Sequence, residues 1–375
     1  MSSYIAVLSI VLILGFCIEI SRGCHWNATL VIGRNVRTVP LDGVFWLLIF
    51  VTLTLYGGLR YNVGTDYESY CTMFTDICDD WFKNRYTGTE QGYVWLNRIV
   101  SLFTEEPQVI IFITNMIICV FGVITLRRYC KCIPFGLVVY FTTLYYFSFN
   151  IIRQGMAANM VFLAIGLAAD GKMKRAWFWV IAAGFFHQTA WLLMIPLLFL
   201  MKRRYKLPVY LAVFGIAALA TLFRDTVTIQ LISRIYPSML NFADAYQYEF
   251  SPVQVALCAL YLLLCLMYIR PMLKKKKENI IYVNFALFTF GVYLLLFWIP
   301  MWSRLNLYVI GLYALIVPEA VSCEKDRRMR WLYYGGLMLM LVFFFFGPSI
   351  LSGTDWYYGT YFDKLRELEL EKIIP

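Results

Sequence analysis

Charge is scarce in this chain and histidine almost missing. Charged residues make up 15% of 375 residues, and there are 2 histidines. Soluble globular chains carry about a quarter charged residues, so an ordinary soluble enzyme is excluded. No basic region precedes the first apolar run, residues 4–18, and no clear small-residue cleavage site follows it. That run is expected to persist as a span instead of leaving as a signal peptide. The sequence has no internal repeat of the kind found in many transporters, no low-complexity segment and no soluble domain. Its 10 cysteines are scattered. Cys17, Cys119, Cys258 and Cys265 sit in apolar runs as small hydrophobes. Cys130 and Cys132 have no further ligands nearby, so no metal is expected. Cys71 and Cys78 share one polar loop. They would form a disulfide if that loop lies outside the cytoplasm; two free thiols are the alternative.

What the chain does have is apolar length. Hydrophobic residues reach 61% and mean hydropathy is +0.66. A helix needs about 20 mostly apolar residues to cross the hydrocarbon core, and only helices or a closed barrel satisfy their backbone groups there. These runs are too long and too continuously apolar for barrel strands. Ten read as full spans: residues 3–20, 43–59, 109–126, 133–149, 151–169, 207–223, 253–269, 280–300, 305–321 and 331–350. The expected fold is an all-α integral membrane protein, one polytopic domain over residues 1–375.

Net charge is +10. No stretch resembles a nucleic-acid-binding arm, so no nucleic-acid partner is expected; basic clusters of this kind mark cytoplasmic loops. Six clusters hold most of the Lys and Arg: Arg22/Arg34/Arg37, Arg127/Arg128/Lys131, Lys172/Lys174/Arg175, Lys202/Arg203/Arg204/Lys206, Arg270 with Lys274 to Lys277, and Lys325/Arg327/Arg328/Arg330. Placing all six inside gives a consistent topology with both termini outside. Two clusters then flank residues 176–201, which must enter and leave on one side. At about 1.5 Å per residue this stretch is too short for two full crossings. A re-entrant helical hairpin fits, with Phe186, His187 and Gln188 at its turn. The competing reading is a single span with one cluster on the unexpected side. Two long outward loops, residues 60–108 and 224–252, and a polar outward tail, residues 352–375, complete the arrangement. Their aromatics and carboxylates suit sugar rings as well as interfacial belts.

Ionisable groups in or beside hydrocarbon are functional candidates. Arg60 and Asp66 follow a span directly, with Gly64 between them to permit a tight turn. Arg153 opens a span whose basic residues otherwise lie at the far end, so its guanidinium needs a partner. That partner is either Asp66 or the phosphates of a substrate. His187 lies mid-run, and histidine is suited to proton transfer near neutral pH; a hydrogen-bonded core histidine is the plainer alternative. Arg304 sits in a short outer turn, where snorkelling is the plainer account. His25 lies in a basic inward loop. Arg60, Asp66, Arg153 and Arg304 fall on one expected face, and His187 joins them if the re-entrant tip reaches far enough. Three arginines, a carboxylate and an imidazole there suit an anionic lipid-linked substrate.

These residues also sit in recognisable strings. Gly58-Leu-Arg60-Tyr-Asn-Val-Gly64-Thr-Asp66-Tyr67 with Tyr70, and Glu90-Gln-Gly92-Tyr-Val-Trp-Leu96-Asn97, resemble the opening of the EpsG family of Wzy-like polysaccharide polymerases. Asn150-Ile-Ile-Arg153-Gln154-Gly-Met-Ala157, Phe186-His187-Gln-Thr-Ala190 and Ser303-Arg304 are similar to its later elements. Their order and spacing hold over residues 41–321. The resemblance implies a bacterial cell-membrane protein that joins undecaprenyl-diphosphate-linked oligosaccharide repeat units at the outer leaflet, in O-antigen, capsule or exopolysaccharide synthesis. A chain-length regulator and a flippase of the same pathway would be its partners. On this reading Arg60, Arg153 and Arg304 bind the departing diphosphate, and His187 or Asp66 deprotonates the acceptor hydroxyl. Gly64, Gln154 and Tyr67 support them. No cofactor or metal is needed, because the lipid diphosphate is already a good leaving group; Asp79 and Asp80 read as solvated acids. The alternatives are a flippase of the same lipid-linked sugar, disfavoured by the few mid-span charges, and a polysaccharide acyltransferase, which leaves the outward arginines unexplained.

Overall fold

The computed structural model describes residues 1–25, 27–32, 35–80, 89–224, 251–298, 302–352 and 356–366. Its helices, in order, are α1 Ser2–Cys24, α2 Asp42–Gly58, α3 Tyr67–Asp79, α4 Gln91–Ser101, α5 Pro107–Tyr129 and α6 Ile133–Tyr145. Then come α7 Ile152–Ala169, α8 Met173–Phe186, α9 Ala190–Met201, α10 Leu207–Leu222, α11 Pro252–Met267 and α12 Ile269–Lys275. The last four are α13 Ile280–Leu295, α14 Trp302–Ile310, α15 Tyr313–Val321 and α16 Arg327–Ser352. Each of the ten apolar runs therefore forms helix. Five helices are long and apolar enough to cross a membrane, or six if α11 and α12, bent by 60°, count as one span. The other runs give shorter apolar helices. The chain is an α-helical, multi-pass membrane protein.

Local chemistry sets several boundaries. Pro107 opens α5, where its missing N–H costs nothing, and the Glu106 carboxylate caps the Gln108 N–H at 3.3 Å. Pro252 and the Ser251 hydroxyl do the same for α11, at 3.4 Å to the Gln254 N–H. The second half of α6 winds as a π-turn over Phe141–Tyr145, which brings the Tyr145 hydroxyl within 2.6 Å of the Leu53 carbonyl, to which it donates. The middle of the bundle is α7, which is almost wholly buried. Ala157, Ala158, Ala164, Gly166 and Ala168 let its neighbours α5, α8, α13 and α14 approach closely, the usual basis of helix packing in lipid. Outer helices turn Ile13, Leu47, Leu211 and Leu339 outward.

The bundle has two chemically distinct ends. At one, Arg22 pairs with Asp42, the Glu19 carboxylate accepts the Ile133 N–H at 2.8 Å, and Lys275 pairs with Glu319 at 3.2 Å. Both ends of the α8–α9 unit are tied to the same end of α13. Lys276 pairs with Asp170 just before α8, and the Asn284 amide donates to the Met201 and Arg203 carbonyls just after α9. The chain doubles back at His187–Thr189: α9 packs on α8, and the Trp191 indole donates to the Ile181 carbonyl at 2.7 Å. This is the hairpin geometry expected from the two basic clusters.

The other end carries the candidate residues. The first expected loop is largely helical, holding α3 and α4 between residues 60 and 108. The second, residues 225–250, lies outside the described residues, as do 367–375 of the tail. Gly359–Thr360 pairs antiparallel with Arg60–Tyr61, the Tyr361 N–H donates to the Leu59 carbonyl at 2.8 Å, and the amino terminus donates to the Trp356 carbonyl at 2.9 Å. The start of α1 and the tail therefore share this end. A second antiparallel pair, Asn27–Ile32 with Asn35–Pro40, joins α1 to α2 where the sequence suggested only a basic loop. Of the two readings for Cys71 and Cys78, the pair of free thiols holds. Both thiols are free and lie seven residues apart on α3, about 10 Å along the axis and too far for a bridge.

Candidate active site

Three elements that are remote in sequence each deliver one polar side chain to a single point. Glu90 is the N-cap residue of α4, and its side chain makes no capping hydrogen bond there. Arg153 stands in the first turn of α7. His187 follows the last residue of α8 in extended conformation, its N–H donating to the Ala183 carbonyl at 3.0 Å. Gly92 allows the assembly: a Cβ there would lie 2.6 Å from the Phe185 carbonyl oxygen, so only glycine lets the first turn of α4 rest on the end of α8.

The Glu90 carboxylate is the hub. Its Oε2 accepts a charge-assisted hydrogen bond from Arg153 Nη1. Its Oε1 lies 2.7 Å from His187 Nδ1 and also accepts the Gln188 N–H at 3.3 Å. A carboxylate only accepts, so Nδ1 carries the proton and Nε2 of the neutral ring is the acceptor. Nε2 is buried and has no hydrogen-bond partner among the described residues. Glu90 and His187 expose 9% and 8% of their side chains, whereas Arg153 exposes 31% and so faces both the carboxylate and the surroundings. Burial alone would raise the Glu90 carboxyl, but the His187 hydrogen bond and the Arg153 charge outweigh it and hold the group at about 2, against an ordinary 4.5.

Two tyrosines frame the cluster. Tyr70 hydrogen-bonds Arg153, and Tyr93 packs edge-on against it at 5.7 Å. Burial pushes the Tyr70 hydroxyl up, with Arg153 opposing and half-buried Asp66 adding to the rise. Asp66 is thus an electrostatic neighbour of the cluster, while its nearest hydrogen-bonding contact is the adjacent Thr65 hydroxyl at 3.4 Å. On the other flank Thr189 and Tyr308 share a hydrogen bond of 2.9 Å. Arg304 lies one turn before Tyr308 in α14; its side chain lies outside the described residues.

Arg60 is placed differently from Arg153. It is 1% exposed, donates to the Gly57 carbonyl and lies 4.6 Å over the Phe149 ring. Its own carbonyl accepts from the Gln108 amide at 3.0 Å, and Gln108 in turn accepts the Tyr67 hydroxyl at 2.6 Å. Gly64 has φ +100°, and a Cβ there would lie 2.6 Å from the Phe149 carbonyl oxygen. Thr65 N–H donates to Asn150 Oδ1 at 3.1 Å. Arg60, Gly64 and Tyr67 together form a packed corner that fixes Phe149 and Asn150, just ahead of Arg153. Gln154 is buried within α7.

The sequence reading quoted Glu90 within a motif and gave it no role, and treated Tyr70 likewise. The available signal was an acid at a helix start directly before Gln-Gly. Its partners are 63 and 97 residues away, beyond any local spacing. Among the described residues no group of three or more His, Cys, Asp or Glu is placed to hold a metal ion.

The family model described as EpsG family matches residues 43–361, which include every residue of this cluster. No curated protein and no solved structure matches the chain.

Proposed function

The chain belongs to the EpsG family, and from that premise we propose that it polymerises lipid-linked oligosaccharide repeat units, with Glu90, Arg153 and His187 as its reaction centre. The observation that carries this reading is the single carboxylate that holds an arginine and orients an imidazole at once. An acceptor sugar hydroxyl gives its proton to His187 Nε2 while its oxygen bonds to the anomeric carbon of the donor. The bond from that carbon to the diphosphate oxygen breaks, and the lipid diphosphate departs with the electron pair. Glu90 keeps the imidazole in the tautomer that can accept, a positioning role. Arg153 neutralises charge growing on the diphosphate, and on this reading Arg304 shares that role. Because Nε2 is covered, the acceptor reaches it only when the surrounding side chains move aside. Asp66 tunes the field around Tyr70, and Arg60 serves the packed corner instead of the diphosphate.

Orientation follows the charge distribution. The basic end faces the cytoplasm, so the cluster and both termini face outward, and the substrate is met at the outer leaflet of the cell membrane. The pairing of the amino terminus with Trp356 at the cluster's end of the bundle supports this placement.

A strain lacking the protein separates the readings. Loss of a polymerase leaves surface material with a single repeat unit. Complete absence of surface material points to a flippase, and full-length chains without an acyl group point to an acyltransferase. In the complemented strain, Arg153→Ala abolishes long chains while the protein accumulates; normal chains would remove Arg153 from the mechanism.

A further inference from the structure

A cavity of 390 Å³ lies within the bundle between α6, α11, α14 and α16. Glu90, Arg153 and His187 do not line it. It abuts the cluster from the other side: Ile151 in its wall precedes Arg153 by two residues, and Asn306 and Leu307 in its wall flank Tyr308. α11 and α16 both line the cavity.

Its lining is unusual for a space among spans. Tyr146, Tyr261, Tyr293, Tyr313 and Trp356 contribute rings, Asn306 and Gln254 contribute amides, and aliphatic and phenylalanine side chains complete the wall. Among the described residues no acid, lysine, arginine or histidine lines it. The Tyr261 hydroxyl and Asn306 Oδ1 are buried and lack hydrogen-bond partners among the described residues, and Tyr261 is 1% exposed. Buried polar atoms are normally satisfied, so these two invite a ligand with hydroxyl groups. A hydrocarbon chain would leave both unsatisfied, and a diphosphate would find no cation. Aromatic faces with uncharged hydrogen-bonding groups match neutral sugar rings, which offer apolar C–H faces and hydroxyl edges together.

We infer that this cavity is a saccharide subsite, seating neutral sugar units of the oligosaccharide beside the reaction centre. The inference rests on the function proposed above for its choice of sugar, and on the cavity's own chemistry for the class of ligand.

The test uses full-length protein in nanodiscs and, as probe, a fluorescently labelled oligosaccharide released by mild acid from the host's own surface polymer. Binding is read by anisotropy. Wild type binds the probe. Tyr261→Phe removes only a hydroxyl that no group among the described residues uses, so it folds normally and weakens binding about threefold to tenfold; Asn306→Ala does likewise. Binding that neither substitution alters would overturn the subsite. So would displacement of the probe by farnesol, which would make the occupant a lipid chain. Normal long chains in a His187→Ala strain would instead refute the polymerase mechanism and leave the sugar-binding result standing.

Discussion

Substituting Glu90 with Gln is the most informative single perturbation. Gln keeps an oxygen that can accept from His187 Nδ1, and it removes the charge opposite Arg153. Glu90 is held at about 2 against 4.5. The difference corresponds to about 3 kcal/mol at neutral pH, and to about 1–2 kcal/mol once solvent screening at the partly open Arg153 is allowed for. A depressed carboxyl stabilises the fold above its unfolded pKa, and that stability fades as pH falls from about 4.5 towards about 2. Purified wild-type protein in detergent therefore loses melting temperature over that acid window faster than Glu90→Gln, and the two curves converge at its low end. Polymer formation at neutral pH falls about a hundredfold in the variant, because the imidazole is no longer held by a charged partner and Arg153 is unpaired. Long surface chains of normal abundance, in cells where Glu90→Gln accumulates to the wild-type level, would refute the reasoning.

Four further outcomes follow from the same geometry. Arg60→Met retains long chains, since the guanidinium serves an internal corner and a packed apolar side chain can take its place, whereas Arg153→Met loses them; gel profiles of surface polymer from both strains check this. Gly64→Ala costs about 1–3 kcal/mol, because φ +100° and the nearby Phe149 carbonyl both resist a Cβ; it reads as a lower melting temperature. Cysteines placed at Lys172 and Lys206 label from the same side of the membrane, and labelling from opposite sides would contradict the hairpin. Alkylation of Cys71 and Cys78 gives the same mass with and without reductant.

Much of this architecture was legible because membrane burial writes itself into composition. Long apolar runs had to be helices, and two basic clusters around residues 176–201 had to share an end. The Asp170–Lys276 and Asn284–Arg203 contacts place them so. The site was legible in part. Arg153 and His187 stood out as costly groups in apolar surroundings, and the need of Arg153 for a partner was correctly read. Its identity was not, since Glu90 reaches it from a different element and Asp66, the nearer candidate in kind, only influences Tyr70. Arg60 and Arg153 looked alike in sequence, each beside the outer end of a span. What separates them is the tail: Tyr358 and Thr360 fold over the corner that encloses Arg60, a contact some 300 residues long in sequence. The pairing of residues 27–40 was missed because a basic loop between two spans gave no reason to look for alternation.

The central claim is that the Glu90-held imidazole of His187 accepts the acceptor's proton during glycosyl transfer. It is tested most directly with purified protein and the lipid-linked repeat unit, following products by mass spectrometry. Wild type should yield lipid-linked dimers and longer chains with one free lipid diphosphate released per bond formed, and folded His187→Ala should yield none. Equal product formation by His187→Ala would contradict the account.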